Sequence, residues 1–115
     1  MVPSAGQTMQ SVRVALAQQV LQRNLATLER RIDEVIAAKP EAVDLVMSNV
    51  QLIDSASLNW MLAMRIRLET AGIQLRIVNP SPVMQDVLLA TRLDSRLTVI
   101  TAVVEENGQE TGNGR

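Results

Sequence analysis

The residues best placed for chemistry lie between Val50 and Leu58, which read V-Q-L-I-D-S-A-S-L. Asp54 and the hydroxyls of Ser55 and Ser57 follow an apolar run and precede about a dozen positions of helical pattern. A helix N-terminus carries unsatisfied N–H groups and a partial positive charge. An acidic or phosphorylated group is therefore stabilised at such a position.

Composition argues against most catalytic chemistry. The 115 residues contain no histidine, cysteine, tyrosine or phenylalanine, which removes disulfides, zinc sites, thiol nucleophiles and Ser-His triads. A Ser-Lys pair remains formally possible, but the only lysine, Lys39, stands beside Pro40 in a predicted turn. We expect no enzymatic activity, no metal and no cofactor.

Charge and hydropathy indicate a cytoplasmic protein that binds neither nucleic acid nor membrane. Eleven basic and twelve acidic residues give a net charge of -1, so no strong field attracts polyanions or anionic lipids. The first ten residues lack a basic start and an apolar stretch. No apolar run approaches the roughly 20 residues of a membrane span.

Strand-like and helix-like patterns alternate along the chain, which predicts an α/β fold with a mostly parallel sheet and right-handed crossovers. Gly72 suits the end of the second helix, and Ser81-Pro82 suits the start of the third. We expect one domain over 11–104, a flexible N-terminus over 1–10 and a disordered tail over 105–115. The predicted strands are 12–17, 42–47, 74–78 and 97–104, and the predicted helices begin near Asn24, Ala56 and Pro82.

Two segments together resemble the STAS family, named for sulfate transporters and anti-sigma factor antagonists. They are D-S-A-S-L over 54–58 and N-P-S-P over 79–82, set against the family's I-D-S-S-G-L, helix, strand and P-S-P. The resemblance covers about 11–100. It implies a sheet of four or five strands with helices packed mainly on one face, and a protein partner such as a kinase-like anti-sigma factor.

The chain departs from the family pattern where the family is phosphorylated. In the family, the partner kinase modifies the second serine of D-S-S-G, and that position is Ala56 here, followed by Ser57 in place of glycine. Val46 replaces an aspartate that the family tends to carry before this segment. A shift of one residue turns a hydroxyl by about 100° around a helix, so Ser57 is not an equivalent acceptor. Arg92 replaces a common family glycine, which predicts a different turn after the third helix.

The helix after Asp54 is apolar around much of its circumference, so we expect one end of its apolar arc near the surface. Tryptophan is frequent at interfaces, and Trp60 is the only aromatic residue. Two interpretations stay open: Trp60 and Met64 belong to a partner-binding patch, or Trp60 fills the core. Asp54 and Ser55 are likewise contact residues or simple helix caps. The predicted patch comprises Asp54, Ser55, Ala56, Ser57, Asn59, Trp60, Ala63 and Met64.

The sequence therefore predicts a non-enzymatic interaction module that resembles anti-sigma factor antagonists and lacks their phosphorylation switch. An alternative is a structural or accessory subunit, bound to a transporter ATPase or self-associating in a larger signalling assembly. Both hypotheses explain the missing acceptor and the wide apolar arc.

Overall fold

Strands and helices alternate from Ser11 to Ile100 in the computed structural model of the chain, which describes residues 10–101. Short 3-10 turns at Gln22–Asn24 and Leu93–Ser95 precede the first helix and the last strand. The strands are β1 Ser11–Ala15, β2 Gln19–Val20, β3 Ala42–Val46, β4 Leu52–Ile53, β5 Gln74–Val78 and β6 Thr98–Ile100. The helices are α1 Leu25–Ala38, α2 Ser55–Thr70 and α3 Pro82–Ala90.

The main sheet has four parallel strands in the order β1-β3-β5-β6. Each crossover moves in the same direction along the sheet. Right-handed crossovers in a constant direction place their helices on a single face, so α1, α2 and α3 cover one side. The predicted α/β class, the parallel sheet and the one-sided helices are confirmed.

Alternate strand residues build the core against these helices. Val14, Leu45 and Ile77 stand side by side on β1, β3 and β5, and all three are buried. The helices contribute the fully buried side chains of Ile32, Met61, Leu68, Met84 and Leu88. The apolar spacing seen in the sequence thus marks the helix-side face of the sheet.

Local turn chemistry follows the sequence at two predicted positions. Gly72 has φ +81° just after α2, and Ser81 caps α3 with Pro82 in its first turn. Asn24 precedes α1 as predicted, but its side chain accepts a hydrogen bond from the Leu21 N–H instead of capping that helix. Arg92, where the resemblance leads us to expect a different turn, adopts a left-handed φ of 61°, in the region that glycine favours.

A second sheet of two very short strands was not predicted. β2 and β4 pair in parallel through only two residues each, Gln19 with Leu52 and Val20 with Ile53. The predicted last strand continues to Val104, and its part after 101 lies outside the described residues. The predicted flexible N-terminus, except Gln10, and the predicted tail over 105–115 lie outside them as well.

One ion pair is buried on the sheet face opposite the helices. Asp44 on β3 and Arg76 on β5 are register partners, and they bond through Nε to Oδ1 at 2.6 Å and through Nη2 to Oδ2 at 2.9 Å. Asp44 is only 5% exposed. This two-point contact fixes the register of the two central strands, because a buried carboxylate needs its partner.

Replacing Arg76 with leucine should lower the free energy of unfolding by about 2–3 kcal/mol, because it removes both bonds to the buried Asp44 carboxylate. The double variant Asp44→Val, Arg76→Leu should be more stable than Arg76→Leu by itself. Urea denaturation followed by circular dichroism measures both. Arg30→Leu, at an exposed position on α1, is the control. A double variant less stable than the single one would contradict a role for the buried pair.

Candidate functional site at the tip of the second helix

The Asp54 carboxylate organises the entry to α2. Its Oδ1 accepts a hydrogen bond from the Ser57 N–H at 2.9 Å, which caps the helix. Its Oδ2 accepts from the Gln22 N–H at 2.9 Å, at the turn that leads into α1. One side chain therefore joins the beginnings of two helices.

The same contacts change the acidity of Asp54. The Ser57 side chain has the strongest effect, followed by the N–H groups of Gln22 and Ser57, and together they hold the pKa of the Asp54 carboxyl below its ordinary value. The Ser57 Oγ makes no hydrogen bond of normal geometry to a described residue.

Ser81 fixes the neighbouring entry to α3. Its Oγ accepts from the Met84 N–H at 3.1 Å and donates to the Val50 carbonyl at 2.5 Å. The Ser81 N–H donates to the Met47 carbonyl at 3.0 Å. The loop between β3 and β4 is thereby held against the start of α3, and both helix entries lie at the carboxyl end of the sheet.

The outer face of the α2 tip is open. Ser55, Asn59 and Ala63 are exposed and Ala56 is half-buried. Beside them lies a groove of about 280 Å³ between α2 and the turn after α3. Its lining residues are Ser55, Leu58, Asn59, Leu62, Thr91, Leu93 and Arg96. An apolar floor with a polar rim is suited to an inserted partner side chain.

Three residues of the predicted patch are buried, which corrects their placement on the surface. Ser57 is 0% exposed, Met64 5% and Trp60 7%. These side chains face inward because α2 packs its buried stripe on the sheet, so they offer no contact area in this conformation. The core interpretation of Trp60 is the one that the structure supports.

Trp60 also joins α2 to α1. Its Nε1–H donates to Glu29 Oε2 at 2.8 Å, and Arg67 donates to Glu29 Oε1 at 3.0 Å. Arg67 also pairs with Asp33 one turn further along α1. The indole N–H, which usually finds an acceptor when buried, thus links α2 to α1.

Sequence reasoning placed Ser55 and Asn59 in the patch but missed the other groove residues, which are Leu58 and Leu62 on α2 and Thr91, Leu93 and Arg96 after α3. The expected apolar edge at the surface is present, but it consists of the half-buried Leu58 and Leu62 and the 62% exposed Ile66. Their spacing of four residues places them along one helix face, a signal that could have found them. Leu93 and Arg96 had no local signal, because only the tertiary fold brings their turn beside α2.

No group of three or more metal-ligating side chains occurs among residues 10–101. No helix there is long and apolar enough to cross a membrane. What the geometry provides is a capped, exposed helix tip beside a groove.

The sheet is parallel and backed by helices on one face, and two capped helices begin at its carboxyl edge. This class of fold is seen in anti-sigma factor antagonists. Among solved structures, the chain is similar to a candidate anti-sigma factor antagonist from Thermotoga maritima, with a TM-score of 0.67 and 23% identity. The match covers 79% of this chain and 80% of that chain, and at this identity it concerns the fold.

The family follows from a second comparison. The model of the STAS domain matches residues 7–106, so the chain belongs to the STAS domain family. No curated protein is significantly similar to it in sequence.

Removing the acceptor of the Trp60 indole should destabilise the protein. We expect Glu29→Ala to lower the free energy of unfolding by about 1–2 kcal/mol, because a buried N–H is left unbonded. Glu34→Ala, at an exposed position on the same helix, should change it by less than about 0.5 kcal/mol. Urea unfolding monitored by Trp60 emission measures both, and equal stabilities of the two variants would refute the role of the Glu29 contact.

The lowered pKa of Asp54 predicts acid sensitivity. Since the native state favours the carboxylate, Asp54 stabilises the fold above its ordinary pKa of 3.8. This contribution is lost as the pH falls through the lowered native pKa. Asp54→Asn keeps a capping oxygen but does not titrate, so its stability should fall less steeply below about pH 5. Urea midpoints between pH 7 and 3 test this, with Asp86→Asn as control. Parallel curves for Asp54→Asn and the unmodified protein would be the contrary result.

Proposed function

We propose that this STAS domain is a non-enzymatic protein-interaction module of the anti-sigma factor antagonist type, whose docking surface is not switched by phosphorylation. The observation that carries the proposal is the exposed, uncharged face of the α2 tip beside the groove. The partner that the family resemblance suggests is a kinase-like anti-sigma factor.

The proposed docking surface differs from the sequence prediction, because the buried residues Ser57, Trp60 and Met64 support it from beneath. Asp54 shapes the surface as a cap. The contact residues are Ser55, Ala56, Asn59 and Ala63 on the tip, with Leu58, Leu62, Thr91, Leu93 and Arg96 in the groove.

Charge in the groove limits the chemistry of the partner. Arg96 is the only charged side chain in the groove lining, and it is exposed without an ion pair in the described part of the chain. A partner that inserts an apolar side chain against Leu58 and Leu62 would bind more tightly if it also placed an acidic group opposite Arg96.

Ala56 and Ser57 support the absence of a phosphorylation switch. Ala56 is the second residue of α2 and has no oxygen to accept a phosphoryl group. The neighbouring Ser57 hydroxyl is 0% exposed, so a kinase could reach it only if the first turn opened. The surface would therefore stay competent for binding, with regulation by abundance or by competition among partners.

Replacing Ala56 with glutamate tests the docking surface. A negative charge in the first turn of a helix favours folding, so the variant should remain folded, whereas a buried unpaired carboxylate should weaken binding by about tenfold or more. The matched control is Ala26→Glu, because Ala26 is the exposed second residue of α1.

The measurement is affinity capture from the native organism with the full chain as bait, quantified by mass spectrometry. A partner retained by the unmodified chain and by Ala26→Glu, but lost with Ala56→Glu, would support the proposal. Equal capture by all three would overturn it. Light scattering on the purified chain adds a second discriminator, because a stable homo-oligomer would favour the accessory-subunit alternative.

A further inference from the structure

Strand β1 forms one edge of the main sheet, since it pairs with β3 and with no other strand in the described range. The Gln10 carbonyl accepts from the Ala42 N–H, and the Leu16 N–H donates to the Val46 carbonyl. Backbone groups alternate in direction along a strand in a parallel ladder. The N–H and C=O groups of Ser11, Arg13 and Ala15 therefore point away from the sheet.

An apolar-lined groove accompanies this edge on the helix side. One hollow of about 280 Å³ is lined by Val14, Ala15, Thr27, Leu28 and Arg31. A second of about 210 Å³ shares Thr27 and Leu28 and continues toward β2. Side chains that project from an added strand toward α1 would enter these hollows, which is the arrangement that β-strand addition uses.

Positive charge lies on both sides of the edge. Arg13 projects from the face opposite the helices, and Arg31 lines the groove. Both are exposed, and neither forms an ion pair within the described residues. The carboxylate nearest to Arg13 along its register row is Asp44, and both of its oxygens are bonded to Arg76.

We propose that the β1 edge binds an extended segment of a partner protein in which apolar and acidic residues alternate. The apolar residues would fill the groove beside Val14 and Leu28, and an acidic residue would lie near Arg13. Backbone bonds to Ser11, Arg13 and Ala15 provide affinity, while the groove and the charge provide selectivity. This surface shares no residue with the α2 tip.

Two other occupants fit the edge less well. In a second copy paired antiparallel about the middle of β1, Arg13 would lie directly opposite Arg13, and like charges in that position repel. The chain's own first nine residues, M-V-P-S-A-G-Q-T-M, contain no acid to approach Arg13 and include Pro3, which cannot donate to a ladder.

Amide hydrogen exchange of the full chain, recorded by NMR, tests the proposal with a synthetic nine-residue peptide of alternating valine and glutamate. We expect the Arg13 and Ala15 amides to gain about tenfold protection or more while those of Val12 and Val14 stay unchanged. A valine-lysine peptide should bind at least about tenfold more weakly. Equal binding of both peptides, or no selective protection, would overturn the proposal.

Two variants separate backbone pairing from charge. Ala15→Pro removes an outward N–H and leaves the bonds to β3 in place, so peptide affinity should fall about tenfold or more. Arg13→Glu should reverse the preference toward the valine-lysine peptide, whereas Arg30→Glu on α1 should not. Affinity unaffected by both edge variants would contradict strand addition.

The alternative occupants give distinct results in the free protein. If the Arg13 and Ala15 amides are already protected, and deletion of residues 1–9 exposes them, the chain's own segment occupies the edge and the proposal fails. If light scattering shows a dimer that Ala15→Pro dissociates, a second copy occupies the edge and the proposal fails as well.

Discussion

The Asp54 carboxylate is the contact on which the proposed docking surface depends. It bonds the Ser57 N–H at the start of α2 and the Gln22 N–H before α1, so the first turns of two helices share one anchor. Further along, Glu29 on α1 receives the Trp60 N–H and Arg67 from α2. With the two helices joined at both points, the α2 tip is positioned by the body of the domain and not by a free loop. A surface of this kind loses little conformational entropy when it binds.

The order of the strands explains why this tip is accessible. Because β1, β3, β5 and β6 follow one another across the sheet, all three helices lie on one face, and the entries to α2 and α3 come together at the carboxyl end. In parallel sheets whose strand order reverses part of the way along, a crevice forms at the carboxyl end where the order reverses. Here every crossover moves in the same direction along the sheet, and the carboxyl end carries only a shallow groove between α2 and the turn after α3. The topology therefore favours a partner that presents a side chain over a ligand that needs enclosure.

Local sequence rules predict this structure where one residue determines the backbone. Gly72, Ser81 and the alternation over 74–78 were sufficient to place a helix end, a cap and a strand. The β2–β4 pair could not be predicted, since two-residue strands carry no periodicity and arise from the bonds of Gln18 with Gln51 and Leu52.

The sequence also left open whether the Trp60 side chain points to the core or to the surface, for a related reason. A helix that is apolar around much of its circumference does not encode which side faces the sheet, and the acceptor of the indole N–H, Glu29, lies 31 residues away.

The candidate site was predictable in its centre and not in its periphery. The helix entry at Asp54 and the absence of an acceptor at Ala56 are features of adjacent residues, whereas Arg96 reaches the groove only through the turn after α3.

The closeness of position 56 to Asp54 bears on the proposed loss of the phosphorylation switch. A phosphoserine at position 56 would stand two residues from the Asp54 carboxylate, and two anions would compete for the same few N–H groups of the first turn. With alanine there, no phosphate competes with Asp54, whose pKa is held below its ordinary value by the Ser57 side chain and the N–H groups of Gln22 and Ser57. The Asp54 cap therefore has no phosphorylated neighbour at that position to compete with.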